Sequence, residues 1–202
     1  MTLPPLLLIT ERRCMAPSFE SAIEAALRDG ARLLQLREKE SPACRVLPLA
    51  RRAQQLCAQH QVQLLVNGRA DIAQLSGAAG VHLPENGLPP QRVHANFPRL
   101  RCGVSVHSVV AAQRAQNEGA DYLLFGSVFP TASHPGQTPA GVEKLREVCT
   151  ATALPVFAVG GITATNAHAC REAGAHGVAV IRAIWQEPDV EVATRVLLKA
   201  LF

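Results

Sequence analysis

Short apolar runs alternate with amphipathic stretches of helical length along the whole chain. Four of these runs begin with a Gly-Ala step and end on polar or small residues, at 30–37, 77–82, 119–126 and 174–180. A unit of helix, tight turn and strand therefore recurs along the sequence. This recurrence predicts a β/α barrel, in which the carboxyl ends of the strands carry the functional residues.

The pattern predicts eight strands and eight helices. Helix starts are indicated at Ser18 and at Ser41-Pro42, and helices are predicted to end at Gly30 and Gly119. The predicted strands cover residues 6–10, 33–37, 63–67, 80–83, 101–105, 122–126, 156–160 and 177–181. The predicted helices cover residues 19–29, 42–59, 71–75, 89–97, 109–118, 141–150, 165–173 and 189–201. The third helix is predicted to be short because the segment that holds it is compressed.

Length and charge favour a single domain that binds a small anion. The 202 residues are close to the lower limit for a complete (β/α)8 TIM barrel, so one domain over residues 1–202 is predicted. The formal net charge of +4 is spread along the chain without a basic block. This distribution favours an anionic small molecule as the partner and argues against nucleic acid.

The cysteines and the apolar segments indicate a cytoplasmic protein. Six cysteines are scattered without a CxxC pair or metal-ligand spacing, and each is predicted to be a small buried residue in a reducing compartment. The first ten residues resemble a strand and not a signal peptide. No apolar segment is long enough to span a bilayer, so no membrane partner is predicted. Monomer and homodimer both stay open.

The second strand carries polar residues that should face the barrel interior. Its alternation places Gln35 and Arg37 on one face, with Lys39 following at the mouth. An inward Arg37 requires an anion or a carboxylate, because an unpaired buried charge is costly. Two partners stay open for it: a substrate anion, or an internal ion pair with Glu38 or Asp71.

Adjacent glycines end the seventh strand. Gly160 and Gly161 let backbone N–H groups approach a phosphate, and the loops after strands seven and eight commonly hold phosphate in such barrels. Ile181 and Arg182 follow the eighth strand and are predicted to share this site. The alternatives are an ordinary turn for the glycines and a solvated surface position for Arg182.

The longest stretch without periodicity covers residues 127–136. It follows the sixth strand and holds Thr131 and Ser133, so it is a candidate lid over a phosphate. An ordinary surface loop is the alternative.

Several polar residues should meet in one cavity at the strand ends. Asn67 follows strand three, His82 closes strand four, and Ser105 and His107 close strand five. Two histidines in one mouth beside Ser127 allow acid–base chemistry, although a histidine at a strand end can also be a structural hydrogen-bonding residue. The remaining histidines are predicted at the surface: His60, His94, His168 and His176.

Seven motifs, in order and spacing, resemble those of the thiamine phosphate synthase superfamily. They are Leu8-Ile9-Thr10, Gln35-Leu36-Arg37-Glu38-Lys39, Asn67-Gly68-Arg69-Ala70-Asp71-Ile72-Ala73, Gly80-Val81-His82-Leu83, Ser105-Val106-His107-Ser108, Phe129-Pro130-Thr131, and Gly160-Gly161-Ile162 with Asn166. The resemblance covers essentially the whole chain. It implies a thiamine phosphate synthase-like barrel and a role in thiamine biosynthesis.

Synthases of this superfamily join a pyrimidine diphosphate to a thiazole phosphate, with magnesium held by two aspartates. The resemblance places the first aspartate at Gly68 and the second in the loop 84–87, and neither is present. The residues that would grip pyrophosphate are Ser133 and His134 here, although Thr131 is retained. The resemblance therefore implies no metal or other cofactor, unless the protein is a synthase and uses magnesium.

The motifs around Asn67, His82 and Ser105 resemble the TenI branch of the superfamily. Members of this branch are thiazole tautomerases, which shift a proton to make a carboxythiazole phosphate aromatic and need no metal. The resemblance implies that Arg37 binds the carboxylate and that the glycine pair binds the phosphate. The catalytic histidine of this branch corresponds to Ser127, so either His107 or His82 moves the proton, or the protein binds thiazole phosphates without efficient turnover.

Three functions stay open. The leading hypothesis is a TenI-like thiazole tautomerase, an isomerase. The first alternative is a thiamine-phosphate synthase, supported by Lys39, Asn67, Ser105 and Thr131. The second alternative is a protein that binds thiazole or thiamine phosphates without chemistry, supported by Ser127.

Overall fold

The strands close into one parallel barrel in the structure, a computed structural model that describes residues 3–132, 136 and 138–202. Strands β1 to β8 run over Leu6–Ile9, Leu33–Leu36, Gln63–Asn67, Gly80–Leu83, Arg101–Val106, Tyr122–Gly126, Val156–Val159 and Gly177–Val180. Each strand pairs in parallel with the next, and β8 pairs with β1. The predicted (β/α)8 TIM barrel and its strands are therefore confirmed.

Helices follow the strands around the outside. Helices α1 to α9 run over Phe19–Arg28, Ala43–Gln59, Ala70–Ser76, Pro90–Asn96, Val109–Asn117, Gly141–Ala151, Ala167–Glu172, Arg182–Trp185 and Val190–Lys199. The sequence predicts all of these except α8, and α3 is short as expected. Helix α8 has four residues. That is about one turn, too short for an apolar periodicity to reveal.

The apolar residues form an outer layer and an inner layer. Leu34 and Leu36 lie in the outer layer between the strands and the helices, as the strand alternation predicts. Leu33, Leu65 and Phe157 belong to the inner layer, which fills the barrel. The barrel is thus a packed core, and polar chemistry is left to the ends of the strands.

Two helix starts test the predicted N-cap residues. The Ser18 hydroxyl accepts a hydrogen bond from the backbone N–H of Ser21 at 3.2 Å and caps α1 as predicted. Ser41 makes no such cap at α2, and its hydroxyl donates to the Glu38 carboxylate at 2.9 Å. Pro42 stands at the capping position of α2, so the predicted serine cap there is wrong.

The cysteines only partly follow their prediction. Cys57, Cys102 and Cys170 are buried, and burial raises the pKa of the Cys57 thiol to about 12. Cys44 is exposed on the first turn of α2, and Cys14 and Cys149 are half-buried. Among the described residues, no helix combines the length and the hydropathy that crossing a bilayer requires.

His176 lies at the amino-terminal end of the barrel and is not a surface residue. It is half-buried, its Nε2 lies 2.7 Å from the carbonyl oxygen of Leu3, and its ring meets the Phe157 ring edge-on at 5.2 Å. The ring helps to close the bottom of the inner layer, which corrects the prediction. His168 is exposed as predicted, whereas His60 and His94 are half-buried.

Contacts between the first and last strands complete the ring. Leu7 of β1 is in register with Ala179 of β8. The indole N–H of Trp185, in α8, donates to the carbonyl oxygen of Ile9 at 2.7 Å. Helix α8 therefore fixes the carboxyl end of β1 as well as following β8.

Candidate functional site

A hydrogen-bonded amide pair lies at the carboxyl ends of β2 and β3. The Gln35 side chain donates from Nε2 to Oδ1 of Asn67 at 3.0 Å. Gln35 is 1% exposed, and its Oε1 has no hydrogen-bond partner among the described residues. A buried acceptor without a partner is unfavourable, so this oxygen is suited to a ligand that donates a hydrogen bond.

His82, on β4, continues the row of inward polar side chains that begins with Gln35 and Asn67. Asn67 is in register with His82, which places both side chains on the inner face. His82 Nε2 lies 2.8 Å from the Ser105 hydroxyl, and Nδ1 lies 3.1 Å from the Tyr122 hydroxyl. Burial lowers the pKa of His82 to about 3, so its imidazole is neutral at physiological pH.

The buried His82 should make the fold sensitive to acid. Below pH 6.5 the unfolded chain binds a proton that the folded His82 takes up only near its pKa of about 3. The free energy of unfolding is therefore unaffected by protonation of His82 above pH 6.5. It decreases by about 1 kcal/mol per pH unit as the pH drops toward 3. Urea unfolding of the wild type and of His82→Asn should show the steeper pH slope in the wild type. Equal slopes would show that His82 is not the source of the acid sensitivity.

His107 lies beyond this row and has a different partner. Its Nδ1 is 2.6 Å from Oε2 of Glu85, in the loop after β4, and its side chain is 56% exposed. The Arg114 side chain donates to the backbone carbonyl of Glu85 at 3.1 Å and fixes that loop. The carboxylate orients the His107 imidazole, an arrangement suited to proton transfer at the mouth.

Arg37 pairs with a carboxylate that the sequence analysis did not name. Its Nη1 lies 3.4 Å from Oε2 of Glu11, and its backbone N–H donates to the Thr10 hydroxyl at 2.9 Å. The predicted internal partners are engaged elsewhere. Glu38 pairs with Arg12, and Asp71 pairs with Arg69.

Lys39 adds a second positive charge near Arg37. The positive charge of Arg37 lowers the pKa of Lys39, and partial burial lowers it further. Both side chains follow the end of β2, and Glu11 is the carboxylate that pairs with Arg37. Such an arrangement attracts an anion.

The glycine pair after β7 packs under the loop that follows β6. A Cβ atom at Gly160, where φ is +98°, would lie 2.6 Å from Cβ of Ser127. A Cβ atom at Gly161 would lie 2.4 Å from the carbonyl oxygen of Pro130. The Phe129 N–H donates to the carbonyl oxygen of Gly160 at 3.0 Å. The pair thus has a packing role, and its phosphate-binding role stays a prediction.

The remaining predicted phosphate residues lie at the start of α8. Ile181 and Arg182 are both half-buried there. Nη1 of Arg182 is buried and has no hydrogen-bond partner among the described residues, which argues against the solvated alternative. Thr131 is half-buried in the loop after β6, while Ser133 and His134 lie outside the described residues.

The residues at the expected magnesium positions do not fit that ion. Gly68 supplies no carboxylate, and the Glu85 carboxylate contacts His107. Within the described residues, no group of three or more His, Cys, Asp or Glu side chains could hold a metal ion. A divalent ion that binds diphosphate prefers carboxylate oxygens, so this donor set is poor.

The structure thus joins some predicted residues and separates others. Gln35 contacts Asn67, His82 contacts Ser105, and Ser127 packs against Gly160. His107 forms its pair with Glu85 and not with His82. Sequence reasoning missed Tyr122, whose only signal was its inward parity at the start of the sixth strand.

Comparisons with known proteins identify one family. The family described as thiamine monophosphate synthase (TMP-TENI) matches residues 6–184. The thiamine-phosphate synthase of Roseiflexus sp. is 41% identical over 192 residues, 94% of this chain and 81% of that protein. The thiamine-phosphate synthase of Gloeobacter violaceus is 42% identical over 174 residues, 86% of this chain but 51% of that protein.

A solved structure shows the same fold. The thiamine phosphate pyrophosphorylase from Pyrococcus furiosus superposes with a TM-score of 0.89 and 34% identity, over 97% of this chain and 94% of that chain. These relatives carry synthase names, and none of the three is named a tautomerase. The superfamily prediction is confirmed, and the assignment to the TenI branch stays a prediction.

Proposed function

The chain belongs to the thiamine monophosphate synthase family, and we propose that it joins a pyrimidine diphosphate to a thiazole phosphate. The names of its relatives support an enzyme of thiamine biosynthesis, and the choice of this reaction follows them. The observation that carries the proposal is the pair of positive charges, Arg37 and Lys39, at the end of β2.

Arg37 and Lys39 would bind the diphosphate that leaves during the reaction. Negative charge develops on this group as its bond to the pyrimidine breaks, and positive side chains near it stabilise that charge. Arg37 lowers the pKa of Lys39, and a bound anion would offset this repulsion. No step is assigned to magnesium, because the residues at its expected position do not fit.

The remaining residues would hold the two heterocycles and the second phosphate. Gln35 offers an acceptor that has no partner among the described residues, while Asn67 and Ser105 can donate hydrogen bonds into the same cup, the space at the carboxyl ends of β2 to β5. The thiazole phosphate would bind near Gly161 and Arg182, where the buried guanidinium nitrogen has no described partner. These contacts would fix both rings at the distance that bond formation requires.

The test is thiamine phosphate formation from the two purified precursors. We expect product to accumulate with time and in proportion to enzyme. Parallel reactions with magnesium and with a chelator measure how far turnover depends on a divalent cation. Absence of product at high enzyme concentration would exclude the synthase reaction.

A metal-independent thiazole tautomerase is the second candidate, and Gly68 is the observation that favours it. This position lacks the carboxylate that the resemblance requires for magnesium. In this reaction Arg37 would bind the substrate carboxylate and His107, oriented by Glu85, would move the proton. His82 is less suited to that role, because burial lowers its pKa to about 3 and so makes it a weak base, and both of its ring nitrogens have partners.

NMR of a carboxythiazole phosphate distinguishes the candidates. Faster conversion to the aromatic tautomer, slowed strongly by His107→Gln, would support the tautomerase. Calorimetric binding of a thiazole phosphate without turnover in either assay would support the third function, ligand binding alone.

A further inference from the structure

We infer that Tyr122 is a positioning residue that orients a hydrogen-bond chain through His82 and makes Ser105 a donor toward the ligand. Tyr122 belongs to the buried interior of the barrel and has no part in the reaction proposed above. The inference about the ligand rests on the proposed function, whereas the direction of the chain rests on the structure of the barrel alone.

The three side chains form a continuous path from the core to the mouth. The Tyr122 hydroxyl lies 3.1 Å from Nδ1 of His82, and Nε2 of His82 lies 2.8 Å from the Ser105 hydroxyl. Tyr122 is fully buried and His82 is 2% exposed, while Ser105 is half-buried near the end of β5. Only the last member of the path can reach a ligand in the cup.

Packing fixes the Tyr122 ring in place. A Cβ atom at Gly103 would lie 2.0 Å from Cζ of Tyr122, so the ring occupies the space that any other residue at 103 would need. The Phe157 ring meets it edge-on, with ring centroids 5.8 Å apart. The hydroxyl is therefore directed at His82 and is not free to seek another partner.

The buried hydroxyl sets the direction of the chain. Tyr122 has one O–H donor, and burial raises its pKa, so the phenol keeps its proton. Within the described residues its hydroxyl contacts a single hydrogen-bonding partner, Nδ1 of His82. Tyr122 must therefore donate and Nδ1 must accept, because the reverse direction would leave a buried donor without an acceptor.

This direction determines what Ser105 can do. A neutral imidazole carries one proton, so acceptance at Nδ1 places that proton on Nε2. His82 then donates from Nε2 to the Ser105 oxygen, and the Ser105 O–H cannot donate back to His82. Its proton is available to a ligand acceptor, and the cup presents a donor at this point.

The direction is measured first in the wild-type protein without substrate. Two-bond ¹H–¹⁵N NMR of selectively ¹⁵N-histidine-labelled protein reports which ring nitrogen carries the proton, and His82→Asn assigns the signal. We expect protonation at Nε2. Protonation at Nδ1 would overturn the inference, whether or not the proposed reaction is found.

Binding is measured next with the phosphate ester of 4-methyl-5-(2-hydroxyethyl)thiazole as the calorimetric probe. We expect Ser105→Ala to raise its Kd about tenfold and Tyr122→Phe to raise it severalfold, within the range of one hydrogen bond. In the double variant Tyr122→Phe should add nothing, because its effect passes through Ser105. A full additional effect of Tyr122→Phe would show that it acts through packing and would overturn the inference.

Phe157→Leu is the matched control for a disturbed core. It alters the ring packed against Tyr122 and leaves every atom of the hydrogen-bond chain in place. Any effect that it has on the Kd should add fully to that of Ser105→Ala. If the probe does not bind the wild type, the proposed function fails, and the NMR result still decides the direction of the chain.

Discussion

Replacing Arg37 with methionine should lower kcat/KM for thiamine phosphate formation by about a hundredfold. A hydrogen bond to a charged group contributes about 1.5–3 kcal/mol, which corresponds to a factor of about 10–150. The effect should approach the upper end of this range, because Glu11 would then place a carboxylate near the anion without its arginine partner. Steady-state kinetics with both precursors measures it.

Arg195→Met provides the matched control. Arg195 also pairs with a carboxylate, Asp29, at 2.8 Å, but it lies on α9 and outside the candidate site. Its replacement should change kcat/KM less than about twofold, since exposed ion pairs contribute little. Equal losses in the two variants would remove Arg37 from the anion site.

Replacing Gly160 with alanine should destabilise the fold by about 3 kcal/mol. A φ of +98° is unfavourable for alanine, at a cost of about 1–2 kcal/mol. The new Cβ would also lie 2.6 Å from Cβ of Ser127, and overpacking of this kind costs about 1–3 kcal/mol more. Urea unfolding measures the change in the free energy of unfolding.

Gly119→Ala separates the two causes. Gly119 has a φ of +86°, but nothing lies within 4 Å of the position that its Cβ would take. The Gly119→Ala variant should therefore lose only the conformational part of the free energy of unfolding, about 1–2 kcal/mol. Similar losses at Gly119 and Gly160 would mean that the loop after β6 moves aside at little cost.

The barrel could be predicted from the sequence alone, because its strands and turns are marked by local signals that repeat along the chain. Each strand combines an apolar run with a preceding turn, and these signals agree with one another along the chain. Helix α8 escaped detection because four residues carry no period. The serine cap predicted at α2 failed because Ser41 bonds to Glu38, a contact that depends on the shape of the loop.

The sequence predicted which residues belong to the candidate site, but not the hydrogen-bond and ion-pair partners that they have there. Strand parity placed Gln35 and Asn67 on the inner face, and the structure shows them in contact. The partner of Arg37 could not be read from the sequence, because Glu11 reaches it only through the packing of β1 against β2. Tyr122 was missed for a similar reason, since its polar contact crosses from β6 to β4.

The ring of strands can close only after the last strand has been synthesised. Strand β1 emerges from the ribosome first, yet its second neighbour, β8, ends at Val180, and the indole that covers the Ile9 carbonyl belongs to Trp185. Until those residues appear, the nascent polypeptide exposes two unpaired strand edges, which are sites for aggregation. A chain truncated before Trp185 should thus depend on chaperones to stay soluble, whereas the chain that continues to Phe202 should not.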